Sequence, residues 1–124
     1  MKQEELMIGD WVQSKSDQSI FQIKTHWDIY NAKDFEPIPI TPEILEMNGF
    51  DKGSLLGCDV WTFDIQNGDN FDNISLRKIK YNKKHKWAVG LSIYGEGAGR
   101  FFIDNIHELQ HALRLCKIDK EIEL

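Results

Sequence analysis

Trp87, Val89, Leu91 and Ile93 alternate without a break with Lys86, Ala88, Gly90 and Ser92. Successive side chains of a strand point to opposite faces, so this pattern requires a half-buried strand and is incompatible with a helix. Trp61, Phe63 and Ile65 repeat the alternation upstream, and Asn67-Gly68-Asp69-Asn70 is a turn signal. Ile74 and Leu76 keep one phase, whereas Ile79 and Tyr81 keep the other. A phase switch near Arg77-Lys78 is what a β-bulge produces. Partners across two strands share a face, so Tyr81 is expected opposite Trp87 and Ile79 opposite Val89. That register leaves an odd-length loop, Lys83-Lys84-His85, and disfavours a two-residue loop with Lys80 opposite Trp87. Gly95-Glu96-Gly97-Ala98-Gly99 is expected to turn the chain into Arg100-Phe101-Phe102-Ile103. The segment thus reads as an antiparallel meander of about four strands.

The flanks supply the rest of an α+β fold. Leu6-Met7-Ile8-Gly9-Asp10-Trp11-Val12 reads as a strand with a Gly-Asp kink, and it resembles the phrase that opens many small SH3-like barrels. Phe21, Ile23, Thr25, Trp27 and Ile29 alternate with polar residues and predict a nine-residue strand. Pro37 and Pro39 hold their segment extended. Thr41 is the expected N-cap of a short helix, with Pro42 at its first position, Glu43 near its positive end and Gly49 after its end. Ile44, Leu45 and Phe50 are expected to dock it. A C-terminal helix carries Ile106, Leu109, Leu113 and Cys116 at helical spacing, with Asp104 as its expected cap and a frayed, charged end after Ile118 and Ile122. One domain over residues 1–124 is expected.

A chain of 124 residues can bury a core without disulfides or metals. Cys58 and Cys116 have no metal-ligand or redox spacing, and both are expected as buried free thiols. No apolar run approaches a membrane span, and the polar opening Met1-Lys2-Gln3-Glu4-Glu5 leads into no signal segment. A cytoplasmic location and no membrane contact are expected. The net charge of −5 is uneven: residues 1–66 hold 12 acids and 5 bases, and residues 67–124 hold 8 acids and 10 bases. An acidic total disfavours generic nucleic-acid binding, which depends on neutralising phosphates.

The sharpest motif is His107-Glu108-Leu109-Gln110-His111, the His-Glu-x-x-His phrase of zinc metallopeptidases. Two His at i and i+4 share a helical face and can both ligate Zn²⁺, while the Glu can act as general base on bound water. A catalytic zinc also needs a third protein ligand. The extended form of the motif places Gly at 114 and His at 117, where this chain has Arg114 and Lys117. Too few residues follow His111 for a further ligand-bearing helix. Asp119, Glu121 and Glu123 lie on the tail, and nothing in the pattern supports His26 or His85. The expectation is therefore no metal, no cofactor and no catalytic residue. The alternative is a minimal zinc peptidase with His107 and His111 as ligands and Glu108 as base.

Arg77 to Lys86 holds six of the fifteen Lys and Arg residues. Such a hairpin can grip phosphates through Lys80, Lys83, Lys84 and Lys86, with Tyr81 or Trp87 to stack a base. Lysines on a strand edge equally block unwanted pairing, which is the expected role here. Gly95 to Arg100 lacks the Gly-Lys-Ser/Thr ending of a phosphate loop and opens no helix. Pro37-Ile38-Pro39 reads as a rigid connector. Trp11, Trp27, Trp61 and Trp87 all sit at strand-like positions and are expected to pack.

Three phrases together carry a resemblance. They are Glu5 to Val12, then Phe35 to Leu45 with Gly49-Phe50, then Ile106 to Leu113. The chain resembles uncharacterised small proteins encoded by prophages and other mobile elements of Bacteroidales-type gut bacteria. The resemblance implies no activity, cofactor or binding residue. In that group the terminal helix often lacks one or more residues of the zinc phrase, which counts against a peptidase. The functional expectation is a non-catalytic accessory or interaction protein of a mobile element. Its partner is expected to be a protein, and homo-oligomerisation is left open.

Overall fold

A computed structural model describes residues 1–65, 73–81, 84–93 and 96–124; within these, the side chains of Tyr81, Lys84, His85, Ile93, Glu96 and Ala98 are not described. The fold is α+β. Strands β1 (Trp11–Ser14), β2 (Ile20–Gln22) and β3 (Phe35–Glu36) form an antiparallel sheet in the order β2-β1-β3. Strands β4 (Asp51–Leu55), β5 (Cys58–Asp64), β6 (Asn73–Tyr81), β7 (Lys84–Ile93) and β8 (Glu96–Ile103) form a five-stranded antiparallel meander in sequence order. Helices α1 (His26–Tyr30), α2 (Pro42–Met47) and α3 (Ile106–Leu115) complete the chain.

The meander's inner face carries Trp61, Ile74, Leu76, Trp87, Val89, Leu91 and Ile103, packed with Leu45 and Phe50 and with Ile106, Leu109 and Leu113 of α3. A smaller cluster of Leu6, Val12, Ile23, Ala32 and Phe35 sits beneath the three-stranded sheet. Helix α2 forms as its sequence dictates. Thr41 Oγ1 accepts from Ile44 N at 3.2 Å, Pro42 opens the helix, and Gly49 at φ +86° ends it. The connector before it is tied to α3, because Ile106 N donates to Ile38 O at 2.8 Å and Ile40 N to Asp104 O at 3.1 Å.

Several expectations are corrected. The N-terminal strand starts at Trp11, because Met7 to Asp10 form a tight turn closed by Asp10 N to Met7 O at 3.1 Å. The predicted strand over Phe21–Ile29 stops at Gln22. Thr25 Oγ1 accepts from Asp28 N, and Asp28 Oδ2 accepts from Thr25 N, so this capping box starts α1 and overrides the alternation. Trp27 consequently lies on a helix, 76% exposed, beside exposed Tyr30. Strands β6 and β7 pair continuously, with Leu76 opposite Val89, Lys78 opposite Trp87 and Ile79 opposite Lys86. No bulge occurs at Arg77-Lys78: Ile79 shares the outer phase of Ser75 and Arg77. The irregularity lies in β8 instead, where Leu91 pairs with Gly99 and Ser92 with Gly97, leaving Ala98 as the extra residue. Gly97 and Gly99 thus belong to a strand. The Asn67–Asn70 turn and Lys83 lie outside the described residues. The tail after α3 is anchored: Trp11 Nε1 donates to Ile122 O at 2.8 Å, and Asn48 Nδ2 to Glu123 O at 2.9 Å. Cys58 is exposed and Cys116 half-buried, both as free thiols.

Candidate functional site

The zinc phrase lies on α3 as predicted, but its residues face three different tasks. Asn105, not Asp104, is the N-cap. Glu108, three positions on, reaches back to it. Its Oε1 accepts from Asn105 N at 3.1 Å, Asn105 Nδ2 at 3.1 Å and Asp104 N at 3.2 Å. The carboxylate closes a capping box and complements the positive end of the helix.

His111 turns toward the N-terminal sheet. Its Nε2 lies 2.7 Å from Oδ2 of Asp10, a residue with no exposed surface. The same Oδ2 accepts from Met7 N at 2.8 Å, and Oδ1 accepts from Arg114 Nη1 at 3.0 Å. Asp10 is therefore a buried carboxylate with donors on both oxygens, the condition that makes such burial tolerable. Gly9 makes the approach feasible. Its φ of +98° suits the third position of the Met7–Asp10 turn, and a Cβ there would fall 2.7 Å from Arg114 Nη2. Gln110 completes the junction, donating to Gly9 O at 2.9 Å and accepting from Trp11 N at 2.9 Å.

His107 is 5% exposed, and its Nδ1 has no hydrogen-bond partner among the described residues. Its ring meets that of His111 edge-on, with centroids 5.7 Å apart. Burial pushes the His107 pKa below its ordinary value, with Glu108 and Asp10 opposing. Among the described residues, no group of three or more His, Cys, Asp or Glu is placed to hold a metal. His26 begins α1, remote in sequence and element from this cluster, and the side chain of His85 is not described. Asp119 and Glu121 line a pocket with Gln110 and Arg114, and the Glu123 backbone is held by Asn48.

The basic segment is divided by strand alternation. Lys78 and Lys80 share the inner phase of Leu76 and extend past the core, where both are exposed. Lys86 lies on the outer phase and pairs with Asp104 at 3.8 Å. Lys83 is outside the described residues, as is the side chain of Lys84. The four lysines therefore do not form one described grip.

The outer face of the meander holds a feature that sequence reading missed. A trough of about 530 Å³ runs along β7, with Ser75, Ala88, Gly90, Ser92 and Gly97 in its floor and Arg77 and Arg100 beside it. Ala88 lies between Arg77 and Phe102 in one cross-strand row, and Gly90 lies between Ser75 and Arg100 in the next. Neither guanidinium is in an ion pair with a described acid. The signal is present in outline: no Asp or Glu occurs from Asn73 to Ile93, and the positions between Trp87 and Ile93 on the outer phase are all small. Placing Arg100 beside them requires the β7–β8 register. No helix of the described residues is long and apolar enough to cross a membrane. No family model matches the chain, and neither a curated protein nor a solved structure matches it.

Proposed function

We propose that this is a non-catalytic interaction protein, an accessory factor of a mobile element, that engages its partner through the outer face of the five-stranded sheet. The observation that supports this reading is that face itself: a trough with a floor of small residues between two arginines that pair with no described acid. The alternative peptidase residues are engaged elsewhere, Glu108 in the α3 cap and His111 on Asp10. The zinc reading keeps one observation in its favour, the unpartnered Nδ1 of buried His107.

Metal analysis and peptide hydrolysis by the purified protein test the two readings together. The interaction reading expects neither stoichiometric zinc nor hydrolysis, and Glu108→Gln should leave every partner-binding property intact. One tightly held zinc per chain, lost in His111→Ala, with hydrolysis lost in Glu108→Gln, would replace it with a hydrolase. Partner capture is then compared between the native chain and Arg77→Glu/Arg100→Glu, which reverses the charge of the trough's flanks.

A further inference from the structure

We infer that the first 36 residues form a latched cover over helix α3, released as one cooperative unit while the five-stranded sheet stays folded. The outer face of that sheet takes no part, so the inference stands apart from the reading above. The cover is built to separate. Its core of Leu6, Val12, Ile23, Ala32 and Phe35 is a cluster apart from the one between the five-stranded sheet and α3. It is also bonded to itself: Met1 N donates to Ala32 O at 3.0 Å and to Phe35 O at 3.1 Å, Ile23 N to Asp10 O at 2.8 Å, and Lys15 N to Asp34 O at 3.0 Å. The chain passes from the cover to the remainder once, through Glu36-Pro37-Ile38, so release breaks no strand of the larger sheet.

The fastening is short. Trp11 N donates to Gln110 Oε1 at 2.9 Å, Gln110 Nε2 to Gly9 O at 2.9 Å and Arg114 Nη1 to Asp10 Oδ1 at 3.0 Å, while Asp10 Oδ2 meets His111 Nε2 at 2.7 Å. Trp11 packs half-buried against the larger cluster and donates from Nε1 to Ile122 O at 2.8 Å. The seam is polar where the rest of the interior is apolar: of the four buried polar or charged residues described, Asp10, His107 and Gln110 lie along it. Interfaces between parts that move are more polar than permanent cores, because a polar face tolerates water when it is bared. His107 Nδ1, buried with no partner among the described residues, gains water on release. Without a disulfide, a unit below about 40 residues rarely stands alone, so undocking and unfolding of the cover are one event. Access to α3 is therefore conditional: its His107 and Gln110 face is closed to solvent while the latch holds and is presented on release.

Native-state hydrogen exchange at neutral pH, followed by NMR across low urea concentrations, tests this. The amides of Ser14, Lys15 and Ile23 are bonded within the cover, and those of Leu76 and Val89 belong to the central strands β6 and β7. On the native chain the three cover amides should converge on one urea dependence and exchange more than about tenfold faster than Leu76 and Val89. Their urea slope should be roughly 0.3 of that of the central strands, in proportion to the share of the chain that opens. Asp10→Asn should speed all three together by about tenfold, although none of them donates to the Asp10 carboxylate. Arg114→Gln, which leaves Asp10 bonded to His111, should speed them less. A single urea dependence shared by the cover and the central strands on the native chain overturns the inference, because the whole chain would then open at once. An effect of Asp10→Asn confined to the Met7–Trp11 turn overturns it too, because the turn would then fluctuate without releasing the cover.

Discussion

The two faces of the five-stranded sheet share one backbone and differ in almost everything attached to it. On the inner side Leu76 and Val89 are fully buried, and Trp61 meets Trp87 edge-on at 5.4 Å. Charged groups on the helix side of the molecule are drawn into bonds as well: Asp10 is matched by His111 and Arg114. On the outer side the rows carry Ser75, Ala88, Gly90 and Ser92, and the two arginines have no described acid to pair with. The charge of Asp10 is therefore built into the fold, whereas Arg77 and Arg100 are left without a described ionic partner. Residue type does not decide which; the presence of a partner does.

The sharpest way to break this contrast is to damage each face in turn. Leu76→Ala leaves a cavity in the inner core and should cost about 3 kcal/mol in urea unfolding. A loss below about 1 kcal/mol would mean that the inner face is not the core. Asp10→Ala removes the acceptor of three donors and should cost about 2 kcal/mol, measured the same way. Glu108→Ala should cost about 1 kcal/mol by loss of the helix cap, while Glu108→Gln, which can still accept from Asn105 N, should retain most of it. Equal losses in the two variants would point to the charge rather than the cap.

His107 adds a dependence on pH. Its folded pKa lies below the ordinary 6.5, so under mildly acidic conditions the unfolded chain takes up a proton that the folded chain refuses. Stability should be full above pH 6.5 and fall as the pH drops from there toward the lowered folded value. His107→Phe should flatten that part of a stability–pH curve, and an unchanged curve would assign the slope to another group. Arg77→Glu on the outer face should shift the unfolding midpoint least, by under about 0.5 kcal/mol. A larger loss would show that the outer face also holds the fold together.

Legibility in the sequence follows the range of the interactions. Helix α2 is readable because Thr41, Pro42 and Gly49 act within a few residues of one another. Strand β7 is readable from its alternation alone. Helix α1 is hidden because Phe21 to Ile29 satisfy a strand pattern while Thr25 and Asp28 satisfy a helix cap, and only the second is realised. Strand β4 has no apolar alternation, and all five of its residues are exposed, so nothing local marks it. The β6–β7 register misleads because Ile79 and Tyr81 look like core residues, whereas Ile79 continues the outer phase. The zinc phrase is visible, but its meaning depends on Asp10, about a hundred positions away. In the sequence Asp10 looks like no more than half of a Gly-Asp kink. The small outer residues of β7 are visible too, but not the arginines that frame them.

The bond between Asp10 and His111 joins positions 101 apart. During synthesis the tenth residue leaves the ribosome long before His111 and Arg114 exist. Until α3 is made, that carboxylate has Met7 N of its own turn as a donor but neither His111 nor Arg114. The amino-terminal strands can pair with one another before α3 exists, but the bonds from Asp10 to His111 and Arg114 form only after the chain has been made nearly to its end.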